Sequence, residues 1–529
     1  MKKPNSHLTG LFFTAIVFAG VLGVGKYASA ATLYMGPSET YTNLQSAMAA
    51  MQSGDTLIIR DGIYTGASNQ MGTYQYYPPN GAEGDYTVIK AENEGQVLFD
   101  GEGVRCMFRF NGPGTHQYLE FRGIKWANSD SSVIETYGMD HIKFFRCGAS
   151  GALNSGNNHT WNITNSSYIL LEECYAWGTG GRYKFVAYLS DHIIFRRCVG
   201  RNDAITTTSV LSTFMNYASQ YVEFQNCIAI DCDCPEFWSG WTYLQPAFTT
   251  HEPHNGEYTE HSAWRGNIAL NIASRRIFTH ATDVHDLTIE NCVFWHGVNN
   301  GEDTNYTNGV EGNTNVNTIF NHCTIGDLIE GATGINSWNN GNSTMGITNS
   351  IVNGCTIGVN GTSPCLYNAF DNNTANIVGT SCSNSITTEN ILGNALHYLV
   401  KAEDGSNLDG TASDGKDIGA TVLTKIGASG TLYGDVGYNL DTEESLWPFP
   451  YEDQIEADFA SYNLGGIDLT KPDGKRGFCA DGNGLYGGPI TLTSYIWEYL
   501  GNACPEDICN YSQSGDTTPP ATPSGLSVR

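Results

Sequence analysis

Arg182 and Lys184, in the phrase GGRYKF, carry the most evident chemistry in the middle of this chain, and Arg201 opens the next loop ahead of Asn202 and Asp203. A lysine whose ammonium is discharged by burial or by neighbouring cations can take a proton from carbon. An arginine can hold a carboxylate and stabilise the enolate that forms beside it. Together these residue types suit β-elimination on a uronate, with Lys184 as base and Arg182 and Arg201 on the carboxylate. The plainer reading is that they are solvated cations flanking a strand. Asp203, Asp231 and Asp233 offer oxygen ligands of the kind Ca2+ takes.

A long aromatic insert, Asp231 to Ser262, follows shortly after. It supplies Trp238, Trp241, His251 and His254, which with Tyr188 form the candidate substrate-binding set. Arg265, Arg275, Arg276, His280 and His285 come next. The two tryptophans can serve as sugar-stacking platforms or pin the insert to the coil beneath it. The histidines lack the spacing of a zinc motif, so packing or surface roles compete with binding.

The elements that must position these residues repeat. YILLEECYAW and HIIFRRCVGR, both within Tyr168–Arg201, share one pattern: alternating apolar residues, a polar residue, a cysteine and a small or apolar tail. Copies align at Gly123, Cys147, Cys174, Cys198, Cys227, Asn267, Cys292, Cys323 and Ser350, separated by 24 to 31 residues except for one gap of 40. Such a period, with β-branched alternation and Gly/Asn-rich joints, predicts a β-solenoid. No L-x-x-L-x-L pattern recurs to support a leucine-rich horseshoe. Coils must stack at about 4.8 Å to cover one another's strand edges.

Five and three residues before the ladder position, pairs such as Ile142/Phe144 and Ile193/Phe195 should face the core. Lys184 and Thr213 should occupy equivalent positions in neighbouring coils, as should Tyr188 and Tyr217. The residue just before the ladder (Arg146, Glu173, Arg197, Asn226, Asn291, His322, Asn349) suits an outward corner, where Asn tolerates a left-handed backbone. The ladder cysteines read as buried thiols, since parallel in-register Cβ vectors fit a disulfide poorly. Bridges are more plausible among Cys355, Cys365 and Cys382, and among Cys479, Cys504 and Cys509.

The start MKK, the run LTGLFFTAIVFAGVLGVG and ASA at Ala28–Ala30 read as a secretory signal, residues 1–30, with a mature start at Ala31. The expected product is secreted or held at the cell surface, has no membrane span and is a monomer. The formal charge is −28, and losing Lys2, Lys3 and Lys26 leaves 54 acidic against 23 basic residues, a net −31. That surface repels nucleic acid and anionic membranes, and a polyuronate partner would need a local basic patch or bound cations.

The N-terminal order TYTNLQSAMAAMQSGDTLIIRDGIYTG, helix then Gly-Asp-strand, resembles the entry of the pectin-lyase-like right-handed parallel β-helices. In that superfamily an amphipathic helix plugs the first coil. The D-I-G-A phrase within Ala402–Leu423 resembles their closing coil. The resemblance implies an all-β right-handed parallel β-helix over 31–438 acting on polysaccharide, but it supplies no catalytic residue. The W-x-D-H, N-T-D, G-H-G and R-I-K phrases of its pectate lyases and polygalacturonases are absent. Residues 439–511 read as a C-terminal cap on the last coils. In 512–529, TPPATPSGLSV resembles the opening of a fibronectin type III module. A polysaccharide lyase is the first reading of function, a glycoside hydrolase a weaker one for want of a spacing that pairs two carboxylates. A non-catalytic surface or adhesive β-helix is the rival class.

Overall fold

The computed structural model describes residues 30–509, except 74, 112–115, 154–155, 179, 204–211, 233–245, 252–253, 255, 273–276, 281–283, 298–307, 314, 329–330, 339–344, 388–389 and 463–473. The signal segment, the fibronectin-like tail, Asp233, Trp238 and Trp241 therefore lie outside the described residues.

The chain is an all-β right-handed parallel β-helix. Each coil gives one strand to each of three long parallel sheets. Sheet A runs from Thr32–Met35 to Cys365–Leu366, sheet B from Gly62–Tyr64 to Ala369–Asp371, and sheet C from Met71–Gly72 to Ala375–Val378. The register is the one the repeat predicts: Ile142 pairs with Leu119 and Ile169, and Ile193 with Ile169 and Val222. One alignment shifts. Ile124, not Gly123, holds the first ladder position, because Phe145 pairs with Arg122, while Gly123 takes the left-handed corner at φ 63°. The helix Leu44–Ala50 is N-capped by Asn43 and buries Leu44, Ala47 and Met48, which covers the first coil.

Side chains alternate inward and stack in files. Phe185 lies 4.8 Å from Phe214, and Phe195 lies 5.0 Å from Phe224. The ladder cysteines are buried free thiols. Each thiol donates to its own coil and to the coil before: Cys198 Sγ to Arg196 O at 3.6 Å and Leu171 O at 3.4 Å. Where the file changes to Asn267, the amide bonds Phe224 O and accepts from Cys227 N. Disulfides join Cys365 to Cys382 and Cys504 to Cys509, while Cys355 and Cys479 are free.

Residues one before the ladder are all left-handed, with φ between 50° and 59° at Arg146, Glu173, Arg197, Asn226, Asn291, His322 and Asn349. A second left-handed file, invisible to the cysteine alignment, lies six residues before the ladder. There Tyr118, His141, Tyr168, His192, Tyr221 and His261 stack with neighbouring centroids 4.6–5.2 Å apart.

The phrase expected to close the last coil does something else. After sheet C ends, the chain turns back and runs along the corner file from late coils to early ones. Asn349 Oδ1 accepts from Ser413 N, Asn291 brackets Thr421 through its amide and carbonyl, and Asn226 Oδ1 accepts from Ile426 N at 2.7 Å. Further back, Arg196 donates to the carbonyls of Ala428 and Tyr438, both at 2.8 Å. This strap offers unpaired backbone groups and the corner side chains satisfy them, so it needs no strand partner in the solenoid. The C-terminal helices Glu452–Ala460 and Leu492–Trp497 do not sit on the last coils either. They cover the outer face of sheet B, which is apolar from Tyr175 through Ile228, Leu270 and Trp295 to Ala369. Its strands read as continuous apolar runs (IAI, VFW) because both faces are buried. Among the described residues no helix is long and apolar enough to cross a membrane.

The strap is anchored by buried charge. Glu172 accepts from Arg197 at 2.5 Å, Arg196 at 3.1 Å, Ser429 Oγ at 2.6 Å and Gly430 N at 2.9 Å. Burial works to raise the Glu172 pKa, but Arg197 and Arg196 outweigh it and leave the carboxyl below its ordinary value. Such a group adds stability above the ordinary carboxyl range and loses it as pH falls through the lowered value. We expect Glu172→Ala to cost about 3–5 kcal/mol, because two buried guanidiniums lose a shared carboxylate. In urea unfolding, the gap between wild type and Glu172→Gln should narrow on acidification. A gap that widens in acid contradicts this account.

Candidate functional site

The sequence-derived site residues separate into two groups on different faces. The first group is a clasp beneath the C-terminal cap. Arg201 is fully buried; its Nη2 donates to Phe459 O and Gly474 O, and it pairs with Asp203 at 2.7 Å. Asp203 also accepts from Arg476 at 2.6 Å and from Gly178 N at 2.6 Å. Burial pushes its pKa up, yet Arg201 and Arg476 prevail and hold it below the usual range. Asp231 accepts from Phe478 N, Asn271 Nδ2 and Tyr495 Oη at 2.8–3.0 Å.

These contacts correct three expectations. Arg201 holds the chain's own carbonyls and Asp203, not a substrate carboxylate. Asp203 and Asp231 do not fit Ca2+, because guanidinium, amide and hydroxyl donors already fill their oxygens and two arginine charges stand beside Asp203. No group of three or more His, Cys, Asp or Glu that could hold a metal occurs among the described residues. Asp233, the third expected ligand, is not described.

Lys184 is also corrected as the base. Its side chain is 1% exposed, and Nζ donates to Gly178 O at 2.7 Å and Gly180 O at 3.1 Å. Burial lowers its pKa to about 8, although Asp203 pulls the other way. The lowering anticipated for this lysine is therefore present, but the amine braces the glycine turn that feeds the strand and faces no substrate. Arg182 stays at the surface, with Nη1 donating to Asn157 at 2.9 Å. It precedes the strand Tyr183–Tyr188, so it lies roughly 20 Å from Tyr188 along that strand.

The second group does converge. Sheet C pairs Phe185 with Phe214 and Tyr188 with Tyr217, then Tyr217 with His251. Outward side chains in one register position must stack. The Tyr188 and Tyr217 rings are 4.8 Å apart, and Tyr217 and His251 are 4.2 Å apart. His254 closes the group 5.6 Å from Tyr188, with Nδ1 3.5 Å from Tyr217 Oη. The turn carrying it is tied down twice: His254 and Glu257 exchange backbone hydrogen bonds, and Thr259 Oγ1 donates to His251 O. Thr164 continues the column one coil earlier. Val186 and Met215, buried beside the rings, stiffen the base. Burial, then Tyr217, raises the Tyr188 pKa, so its hydroxyl stays neutral. Tyr217 belongs in the candidate set, and its in-register position opposite Tyr188 was the signal for it.

A hydroxyl and an imidazole in contact on a solvent-facing sheet can exchange a proton and serve as acid and base. The rings lie in file along the solenoid axis, the direction a linear polymer would follow.

No family model matches this chain, and no curated relative matches it. Solved structures to which this chain is similar include pectate lyase Pel9A, at 12% identity and TM-score 0.36, covering 74% of this chain and 96% of that one. A GH87 α-1,3-glucanase catalytic domain in complex with nigerose has 11% identity and TM-score 0.41, covering 68% of each chain. The A-module of the Azotobacter vinelandii mannuronan C-5 epimerase AlgE6 has 11% identity and TM-score 0.37, covering 65% of this chain and 94% of that one. Likenesses this distant are likenesses of coil, and the chemistry must come from this chain's own residues.

The lysine gives a pH prediction. With a folded pKa of about 8 against an ordinary 10.5, the unfolded chain binds the extra proton between those values. Folding stability from this group therefore rises with pH across that window. Measured unfolding free energies of wild type should climb relative to Lys184→Met from pH 8 to 10.5. Parallel pH curves for the two proteins would show the amine is not held as described.

Proposed function

We propose that this protein acts on polysaccharide along sheet C, and that it is a lyase cleaving a uronate-containing glycan at the Tyr188–Tyr217–His251–His254 cluster. The supporting observation is the 3.5 Å contact of Tyr217 Oη with His254 Nδ1 inside a file of aromatic rings that runs with the axis. In the proposed step His254 takes the C5 proton, and the C5–H electrons form the C4=C5 bond. The C4–O bond breaks, and the leaving oxygen takes the Tyr217 proton. Transfer from His254 back to Tyr217 across their contact resets the pair. The His251 ring N–H stabilises the charge that develops on the uronate carboxylate. Arg182 marks the far margin of the same sheet as a surface cation. The cluster carries no negative charge, so the acidic surface elsewhere does not bar an anionic chain from it. The N-terminal segment fits an exported protein, and sequencing the N-terminus of the mature product tests the start at Ala31.

The test is the ultraviolet absorbance of unsaturated uronide released from a panel of polyuronates. Tyr217→Phe should lower the rate by about 10²–10⁴-fold, the range of general acid catalysis, with little change in thermal stability. If no polyuronate yields the absorbance, the lyase reading falls. Retained glycan binding in that case would make the cluster a binding site of a non-catalytic β-helix.

A further inference from the structure

Sheet B carries its own file of left-handed polar residues on the cap side: Asp231, Asn271, His296 and Asp327, with φ of 51°, 56°, 58° and 53°. The register places them one above another, since Ile230 pairs with Leu270, Leu270 with Trp295, and Trp295 with Gly326. The helix Leu492–Trp497 and Tyr499, two residues beyond it, satisfy the first two rungs. Tyr495 Oη bonds Asp231 and accepts from Asn271, and Tyr499 Oη donates to Asn271 Oδ1 at 2.6 Å. Among the described residues, the next two rungs show no bond to a cap hydroxyl. His296 Nδ1 instead contacts Asp327 Oδ2 at 2.7 Å, and the pair lines a cavity of about 480 Å3 between the sheet and the cap.

Leu485, Ile490, Tyr495 and Tyr499 give that cavity apolar and aromatic walls, and Asn483 and Glu498 add polar groups. Glu498 is only 5% exposed, so its carboxyl is part of a built wall. The volume is that of a small-molecule site. Both tyrosine hydroxyls are engaged with Asn271, so these residues bring ring surface to the cavity. A ring face beside a fan of hydrogen-bonding groups is the complement of a pyranose, which is apolar on its C–H face and hydroxylated at its edge. Two carboxylates in the lining repel an anionic sugar.

From this we infer that the cavity between the C-terminal cap and sheet B is a second glycan site, which takes a neutral pyranose unit. The site stands apart from the sheet C cluster and does not depend on it. Asp327, with its oriented imidazole partner, accepts from vicinal hydroxyls, while the tyrosine rings carry the C–H face. A cap that covers sheet B would then also hold a neutral glycan while the sheet C face handles a charged one.

Isothermal titration and saturation-transfer NMR of the full chain with neutral gluco-, xylo-, manno- and galacto-oligosaccharides test this, with uronate oligomers in parallel. At least one neutral oligosaccharide should bind. Leu485→Trp, which fills the cavity from a half-exposed position, and Asp327→Ala, at a side chain 53% exposed, should each weaken it by roughly tenfold or more. Tyr217→Phe should leave that binding unchanged. The inference is overturned if no neutral oligosaccharide binds, or if binding survives both cavity substitutions. Uronate binding that Leu485→Trp abolishes would overturn the assigned ligand class.

Discussion

The structure depends on a backbone conformation that most side chains avoid. At each coil's corner one residue turns left-handed, and its side chain points away from the core. A corner of asparagines would suffice for turning. Here the file also includes Arg146, Glu173, Arg197 and His322, and of these Arg197 and His322 hold the returning strap, at Ile426 O and Asp417 O. The corner therefore does two jobs with one residue per coil. It bends the solenoid, and it offers donors and acceptors to a segment that has no strand of the three long sheets to pair with. Where the strap crosses the middle coils, Glu172, Arg196 and Arg197 are buried, and their mutual pairing offsets the cost of removing charge from water.

The clasp at Arg201, Asp203 and Arg476 repeats this logic on the neighbouring sheet. The cap must bury an apolar face, but it arrives with helix ends and loop carbonyls that need partners. Arg201 takes the carbonyls of Phe459 and Gly474, and Arg476 takes those of Asn202 and Asp231. Apolar area supplies the attraction, and the charged clasp fixes where the cap sits. A charged cluster of this kind resembles a site when it is read one residue at a time. Seen with its partners, it is a joint.

That contrast explains what the sequence could convey. The coil period, the inward pairs, the buried thiols and the left-handed corners were legible because each is set by neighbours one coil away. The Tyr188–Tyr217 pair was legible for the same reason, since register alone brings those rings together, whereas His251 was expected in the long insert and lies instead in a sheet C strand. The roles of Lys184, Arg201 and Asp203 were not. Their charge is visible in the chain, but their burial is set by Gly178 and Gly180 at a turn, or by partners more than 250 residues downstream. The aromatic file from Tyr118 to His261 was overlooked although it repeats faithfully, because its residue types alternate between Tyr and His and an alignment on cysteine does not seek it.

The returning strap also alters the order in which this molecule can be completed. A bare solenoid is a one-dimensional stack in which each coil needs only the coil beside it, so it can grow from one end as the chain emerges. Here the outer face of sheet B and the charged corners of the middle coils wait for residues that are made after the solenoid. Until those residues arrive, an apolar face and several unmatched charges stand open to solvent. The C-terminal fifth of the chain thus acts as a lock on a nearly finished object, and the coils it crosses can no longer melt one at a time.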